Sequence, residues 1–435
     1  MVEDFDILVA GGGPAGCSVA LELARLGHRI LLITRLRQPA IEGLSERVLR
    51  ALETAGCRRA LAAIGPPVRR EANWHGATTA ANQEWVVARA RFDAALLEDV
   101  AAAGVEIVAA RIARSALEAG RWQTETGDGR RWCGRFLVEA RGRPAPGRRL
   151  RGPASTALAR RFDGVPAHPR TAVAGFRRGW AWYASTGDGA GAVQIVLASA
   201  EPLPKRPALP ALFDAALDQV GPARGWLGRG HAVGEVVARH AEASRAVLPV
   251  EEALLRVGDA ALAIDPLSGH GVFEALASAR AAAPVINTIL RRPQDAAVAR
   301  RFYEERVRLA FARFARIGRD FYRLEQRWPG APFWQVRRGW PDDLPAHAPA
   351  AASPPQIQTR PVVEDGFVAA RAVIVTADQP RGVWQVDGVP LVALLRAVQA
   401  GEVLSLEAAS RRFARAPGQV ETALAWLRYR GLLPS

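Results

Sequence analysis

The chain has 435 residues, 49% hydrophobic and 23% charged, an ordinary globular composition that excludes wholesale disorder and a collagen-like fibre. The formal net charge is +15, and almost all of the positive charge is arginine because Lys205 is the one lysine. Arginine-favouring codon usage and an acidic partner (nucleic acid, anionic membrane or acidic protein) both account for such an excess.

No uncharged apolar run reaches the roughly 18–20 residues that span a bilayer. The N-terminus is acidic and runs into a strand, unlike a signal peptide. Cys17, Cys57 and Cys133 have neither disulfide-like nor metal-like spacing. A reducing cytoplasm, with no membrane and no bound metal, is the expected setting.

In chain order, Asp6–Ala10 reads as a short buried strand, broken by Gly11-Gly-Gly-Pro-Ala-Gly16. A helix follows over about Cys17–Leu26, closed by Gly27, and Arg29–Thr34 is the next strand. This βαβ unit carries its glycines at the first turn. Helices over about Ser45–Ala55 and Asp93–Ala103 end at Gly56 and Gly104. Val105–Val108, Arg121–Thr124 and Phe136–Ala140 read as strands. Between about 155 and 240 the pattern changes to strands near Trp180–Ala184 and Ala192–Ala198 with one helix near Ala211–Val220. That predicts a separate antiparallel layer. Leu254–Asp259 returns to a buried strand, and long helices run to about 327.

A Pro- and Ala-rich linker is expected at Pro341–Pro361. Beyond it come strands at Val368–Val375 and Val383–Val386, then helices at Leu391–Gln399, Leu406–Phe413 and Gly418–Arg428. Two strands and three helices predict a small winged-helix-like domain. The expected division is 1–155 with 245–330, then 156–244, a linker over 331–361, and 362–435.

Gly11-x-Gly13-x-x-Gly16 sits where a dinucleotide fingerprint must sit, between a strand and a helix. Glycines let the backbone turn tightly and approach a pyrophosphate, which the helix N-terminus stabilises. The ribose-binding acid that normally ends the second strand is absent; Thr34 and Arg35 stand there.

With these glycines and a distal Gly258-Asp259, the chain resembles flavin-dependent monooxygenases of the aromatic-hydroxylase and flavin-halogenase superfamily. Further motifs match in order: Gly43-Leu-Ser-Glu-Arg47, Arg89-Ala-Arg-Phe-Asp93-Ala-Ala-Leu96, Phe136-Leu-Val-Glu-Ala-Arg-Gly-Arg143, and Gly258-Asp259 through Asp265-Pro266-Leu-Ser-Gly269-His270-Gly271. The resemblance covers about residues 4–325. It implies an α/β fold with a Rossmann-like FAD-binding domain, an aromatic-hydroxylase-like antiparallel substrate sheet, and FAD as cofactor. By the same resemblance Gly11, Gly13, Pro14, Ala15, Gly16, Arg35, Arg47, Arg89, Asp259, Pro266, Gly269, His270 and Gly271 hold the flavin nucleotide. Asp259 would meet the ribityl hydroxyls. The helix after Gly271 would stabilise negative charge on the reduced ring.

Halogenases of this superfamily need a lysine to carry the halogen, and Lys205 matches no such position, so hydroxylation with molecular oxygen is the expected chemistry. Trp180 and Trp182 share one face of a strand and, with His240, are expected to line the substrate pocket. His270 is the candidate proton carrier.

The C-terminal domain has helix-turn-helix spacing with Arg411, Arg412 and Arg415 exposed, and a protein-docking role is favoured over DNA. Together these features resemble the flavoproteins that build tryptophan-derived quinone cofactors, such as cysteine tryptophylquinone, inside other proteins. That resemblance implies dihydroxylation of tryptophan in a protein substrate, with oxygen, an electron donor and a co-acting maturation enzyme as partners. A small-molecule aromatic hydroxylase and a flavin-binding DNA-associated regulator are the rival readings. Ten arginines and one acid, Glu139, between Arg130 and Arg161 point to an acidic protein partner.

Overall fold

The computed structural model describes residues 3–35, 40–199, 205–347, 354–403 and 405–434. The chain divides into two compact units, Met1–Ile286 with Tyr303–Ala346, and Asn287–Phe302 with His347–Ser435. Part of the expected linker, 348–353, lies outside the described residues, as do the first two residues.

The larger unit is built on two large sheets and a short three-stranded one, Arg149–Arg151, Ser244–Ala246 and Leu262–Ala263. The first runs Glu106–Ala109, Ile30–Thr34, Glu3–Ala10, Arg131–Glu139, and then antiparallel Arg121–Thr126 and Ile112–Glu118, with Leu254–Arg256 also parallel to Arg131–Glu139. Its central strands carry apolar runs, Ile7–Ala10, Ile30–Ile33 and Phe136–Val138, because both faces are covered there; Ile7, Leu8, Val9, Leu31 and Leu32 have no solvent exposure. The helix Pro14–Arg25 follows the first strand and buries Val19, Ala20 and Leu23.

The second sheet has eight strands, ordered His231–His240, Ser155–Asp163, Ala190–Ala198, Gly179–Ser185, Arg170–Phe176, Pro67–Trp74, Ala77–Ala88 and Ile41–Leu44. Three of these come from residues 41–88, so the sheet is wider than the 156–244 span expected for it. The hairpin joining two of them turns at His75 (φ 57°) and Gly76 (φ 80°), the paired left-handed geometry of a tight hairpin.

The alternation of side chains divides this sheet into two cores. On one face Ala181, Tyr183 and Ile195 meet the helices Leu209–Leu217 and Ala223–Leu227, with Tyr183 stacked on Trp226 at 5.7 Å. On the other, Trp180, Val173 and Val196 meet Tyr322, Phe333, Trp334 and Leu267. Phe333 and Trp334 belong to a helix, Pro332–Gly339, in residues expected to be linker. Trp334 is fully buried and donates its indole N–H to Phe176 O at 3.1 Å. Apolar burial of this size holds the segment as a helix where composition alone suggested none.

The smaller unit carries a hairpin, Gln356–Glu364 with Phe367–Val375, and helices Leu391–Gln399, Leu406–Phe413 and Pro417–Tyr429. Its core is Ile374, Leu394, Leu395, Ala409, Val420 and Leu427. Ser405 Oγ caps the second helix by accepting from Ala408 N at 3.2 Å. This is the expected winged-helix-like arrangement. Arg411, Arg412 and Arg415 are exposed, although Arg412 pairs with Glu402 and Arg415 donates to Gly388 O.

Candidate functional site

The glycines of the first turn do different jobs. Gly11 has φ +113°, and a Cβ there would lie 2.6 Å from Ala140 O. A Cβ on Gly16 would lie 1.8 Å from Gly11 O, so helix and strand pack at a distance only glycine permits. Gly13 is different: it is extended, and nothing lies within 4 Å of where its Cβ would be. The helix begins there without a side-chain cap, with Pro14 in its first turn and Ala15 buried behind it. Open space in front of uncapped first-turn N–H groups is what a pyrophosphate requires. Thr34 Oγ1 is already used, accepting Gly12 N–H at 2.9 Å. It therefore supports the turn as well as occupying the usual ribose position. Arg35 and Arg47 are exposed, and Arg47 lies 5.8 Å from the Phe273 ring centre.

Arg89 is engaged within the fold. Its guanidinium is buried, donates from Nε and Nη2 to Asp93 at 2.8–3.0 Å, and pairs through Nη1 with Glu42. The two carboxylates hold it charged against the cost of burial. Its ion pairs tie the helix Arg89–Ala102 to the strand Ile41–Leu44.

Asp259 sits in a single turn, Gly258–Ala260, part-exposed, with Arg143 Nε 3.4 Å from its carboxylate. Arg143 also donates to Glu242 O and Ile264 O, and Arg149 donates to Asp259 O and Ala260 O. Burial brings the Arg149 guanidinium down to about 10, with Asp259 opposing the shift. Two arginines thus clamp the backbone around Asp259.

The turn Asp265–Gly271 is pinned from behind. Asp265 Oδ1 accepts Leu267 N–H, and its Oδ2 accepts the Tyr322 hydroxyl, both at 3.0 Å. Tyr322 in turn accepts the Trp180 indole N–H at 3.2 Å. Burial raises the Asp265 carboxyl above the usual range, while these hydrogen bonds and Arg337 pull it back. Pro266 opens the turn, Gly269 takes the left-handed conformation (φ +66°), and Gly271 starts a 21-residue helix facing open space. His270 is half-buried and lies 5.8 Å from the Phe314 ring. Its Nδ1 is buried without a hydrogen-bond partner. Burial, with Arg47, Arg313 and Arg70 nearby, lowers its pKa, so the imidazole stays neutral near pH 7.

The uncapped helix start after Gly13, the start of the Gly271 helix, the Asp259 carboxylate and the unmet His270 nitrogen form a cradle that fits FAD: amides for phosphate, a carboxylate for hydroxyls, and a positive helix end for an electron-rich ring. The expected pocket residues separate. Trp180 is 1% exposed and committed to Tyr322, whereas Trp182 on the same face is partly open. His240 is on the edge strand, with its side chain 70% exposed and 3.6 Å from Glu242. Tyr322, Arg70, Glu84 and Thr171 escaped the sequence reading. The available signal was a charged residue inside each of two strands that also carry apolar or aromatic residues.

The arginine cluster is largely internal. Arg130, Arg131, Arg135, Arg141, Arg143, Arg151 and Arg160 each form an ion pair with an acid of the same chain. Arg148 and Arg161 are exposed, with no ion pair among the described residues. No described helix is long and apolar enough to cross a membrane, and no metal-ligating cluster occurs among the described residues.

Residues 4–134 match the model of an FAD binding domain. The fold and the site define an FAD-dependent flavoprotein monooxygenase. Among solved structures, the peptidyl tryptophan dihydroxylase QhpG, essential for tryptophylquinone cofactor biogenesis, is 40% identical over 99% of this chain and 100% of its own, with a TM-score of 0.85. This chain belongs to the QhpG family of such enzymes. The myxobacterial chondrochloren halogenase CndH (24% identity, 77% of this chain and 86% of that one, TM-score 0.68) and the flavin-dependent halogenase CmlS (18%, 99% and 96%, 0.73) share the fold. No curated protein matches the chain.

Proposed function

We propose that the protein dihydroxylates a tryptophan side chain within a protein partner during maturation of a tryptophylquinone cofactor, using FAD, oxygen and an external reductant. The observation that carries this reading is the 40% identity to QhpG over essentially the whole of both chains. Bound FAD supplies the redox chemistry that activates oxygen.

The chain's own residues do the rest. First-turn amides after Gly13 would hold the pyrophosphate, and Asp259, clamped by Arg143 and Arg149, would orient the ribityl chain. Asp265 and Tyr322 fix the Asp265–Gly271 turn, which would support the ring. Neutral His270 has Nδ1 free to accept a proton. The aromatic packing around Trp180, Trp334 and Phe333 keeps water from the inner side of the sheet.

An acidic protein is the partner we favour over nucleic acid, because internal pairing leaves the net charge of +15 unchanged. The C-terminal unit is proposed as a docking element, and a co-acting maturation enzyme as a further partner. We propose an organisation into an FAD domain, a substrate sheet that also draws strands from residues 41–88, a linker after the helix Pro332–Gly339, and a winged-helix-like domain. Three free cysteines, two of them buried, suit a cytoplasmic site.

The test is mass spectrometry of tryptophan-containing partner proteins after incubation with the enzyme, FAD, a reductant and oxygen. Two added oxygen atoms on one tryptophan are expected. Oxygen appearing only on free phenols or indoles would replace this reading with that of a small-molecule hydroxylase.

A further inference from the structure

Five buried side-chain atoms without a hydrogen-bond partner gather around one patch: Arg70 Nε, Glu84 Oε2 and Thr171 Oγ1 within the second sheet, and Ser45 Oγ and His270 Nδ1 on segments bordering it. Register places the first three on one face. Val173 pairs with Trp182 on one side and Ala72 on the other, and Thr171 pairs with Ala184 and Arg70. Residues directly opposite in neighbouring strands project to the same side. Arg70, Thr171 and Trp182 therefore share the face that carries Trp180, and Trp180 reaches the Asp265 turn through Tyr322. Val68, two residues before Arg70, pairs with Glu84 and brings it to the same face.

Arg70 and Glu84 form an ion pair at 3.2 Å with side chains 12% and 8% exposed, using one atom of each. A Cβ on Gly43 would lie 3.1 Å from the Glu84 carboxylate, and one on Gly269 would lie 3.7 Å from Arg70 Nη1. The pair therefore spans from the Gly43 strand to the Gly269 turn. Burying a carboxylate with one oxygen unmet is unfavourable unless a ligand or water meets it. Ser45 and His270 lie on the segments that resemble flavin motifs. Glu84, Arg70 and Thr171 lie instead on the sheet, on the face that carries the partly open Trp182 ring, with Thr171 on the strand next to it.

We propose that Glu84, held by Arg70, accepts the indole N–H of the substrate tryptophan and makes the site specific for indole over rings without that donor. The inference rests on the tryptophan-oxidising reading above. Its chemistry suits that reaction: a carboxylate accepting the N–H increases electron density in the ring that must attack oxygen. A site built around a buried acceptor also rejects an isostere that leaves the acceptor unpaired.

The test uses FAD-loaded enzyme and two ligands measured by calorimetry: N-acetyl-tryptophanamide and its benzothiophene analogue, in which sulfur replaces N–H. Wild type is expected to prefer the indole by ~10- to 100-fold. Glu84→Gln should reduce that preference, and the double variant Arg70→Met/Glu84→Leu, which leaves no lone buried charge, should abolish it. FAD affinity should be unchanged in both. Equal binding of the two ligands by wild type, binding of neither, an undiminished preference in the double variant, or loss of FAD from the variants would each overturn the role of Glu84. A wild type that oxidises protein tryptophan yet binds both ligands equally overturns this inference alone. One that oxidises no protein tryptophan overturns the reading beneath it.

Discussion

At the nucleotide turn the groups left open are backbone N–H groups, presented by glycines beside a helix that nothing caps. On the inner face of the second sheet the open groups are side-chain atoms, on residues drawn from three strands and held by neighbours far along the chain. The first kind of site is preformed by local backbone geometry and takes any ligand with a pyrophosphate. The second depends on charge pairing and shape, the features that in our proposal discriminate between aromatic rings. In the function proposed above, cofactor binding and substrate choice would be carried by different chemistry, at a turn and a sheet face joined through the Trp180–Tyr322–Asp265 hydrogen bonds.

The sharpest way to break this contrast is at Gly16. With a Cβ 1.8 Å from Gly11 O, Gly16→Val should cost about 4 kcal/mol or more and abolish FAD uptake, read by soluble yield and flavin absorbance. Tyr322→Phe comes next. It leaves the Trp180 N–H and Asp265 Oδ2 without their shared partner and should lower stability by about 1–3 kcal/mol in urea unfolding.

Gly13→Ala separates binding from folding. Its backbone is ordinary and its Cβ would enter open space, so apo-protein stability should stay within ~0.5 kcal/mol. FAD affinity should nevertheless fall by at least about tenfold, measured by flavin titration, because the added methyl occupies the pyrophosphate's approach.

The His270 effect is smaller and depends on pH. Its folded pKa lies below the ordinary value of 6.5. As pH falls below about 6.5 the unfolded chain therefore takes up the proton first. The contribution to stability is complete above that pH and is lost as pH drops towards the folded pKa. His270→Gln should flatten this part of the curve in denaturant melts between pH 7 and 5; an unchanged slope would place the titration elsewhere. The smallest effect is expected at Arg148 and Arg161. Reversing both charges should slow association with an acidic partner at low salt and make no difference at high salt.

Much of the frame was legible from local spacing. The strand–glycine–helix unit and the Asp265–Gly271 turn are contiguous, and their physics is contiguous too. Hidden from that reading were Ile41–Leu44, Pro67–Trp74 and Ala77–Ala88 as strands of the substrate sheet. Residues 77–83 are exposed and polar or small, without the apolar alternation that announces a strand. Only the His75–Gly76 turn hinted at the hairpin. The sequence motif marked Arg89, but not that Asp93 one helical turn on and Glu42 across the fold both hold its guanidinium. Similarly, ten arginines in a row of short spacings suggested a docking surface, yet most of them meet acids that the linear count did not include, such as Asp128, Asp259 and Glu242.

The amino-acid sequence by itself determined the cofactor class, because a pyrophosphate is held by neighbouring backbone amides and glycines declare such a place within six residues. Only the tertiary structure decided which side chains share the inner face of the second sheet. Tyr322 meets Asp265 and Trp180 across 57 and 142 positions of chain, and Thr171 meets Arg70 only by strand register. Such pairings come from sheet order and helix packing, which no local pattern specifies. A buried acceptor like Glu84 Oε2 becomes visible only when its neighbours are in place and one hydrogen bond is still missing.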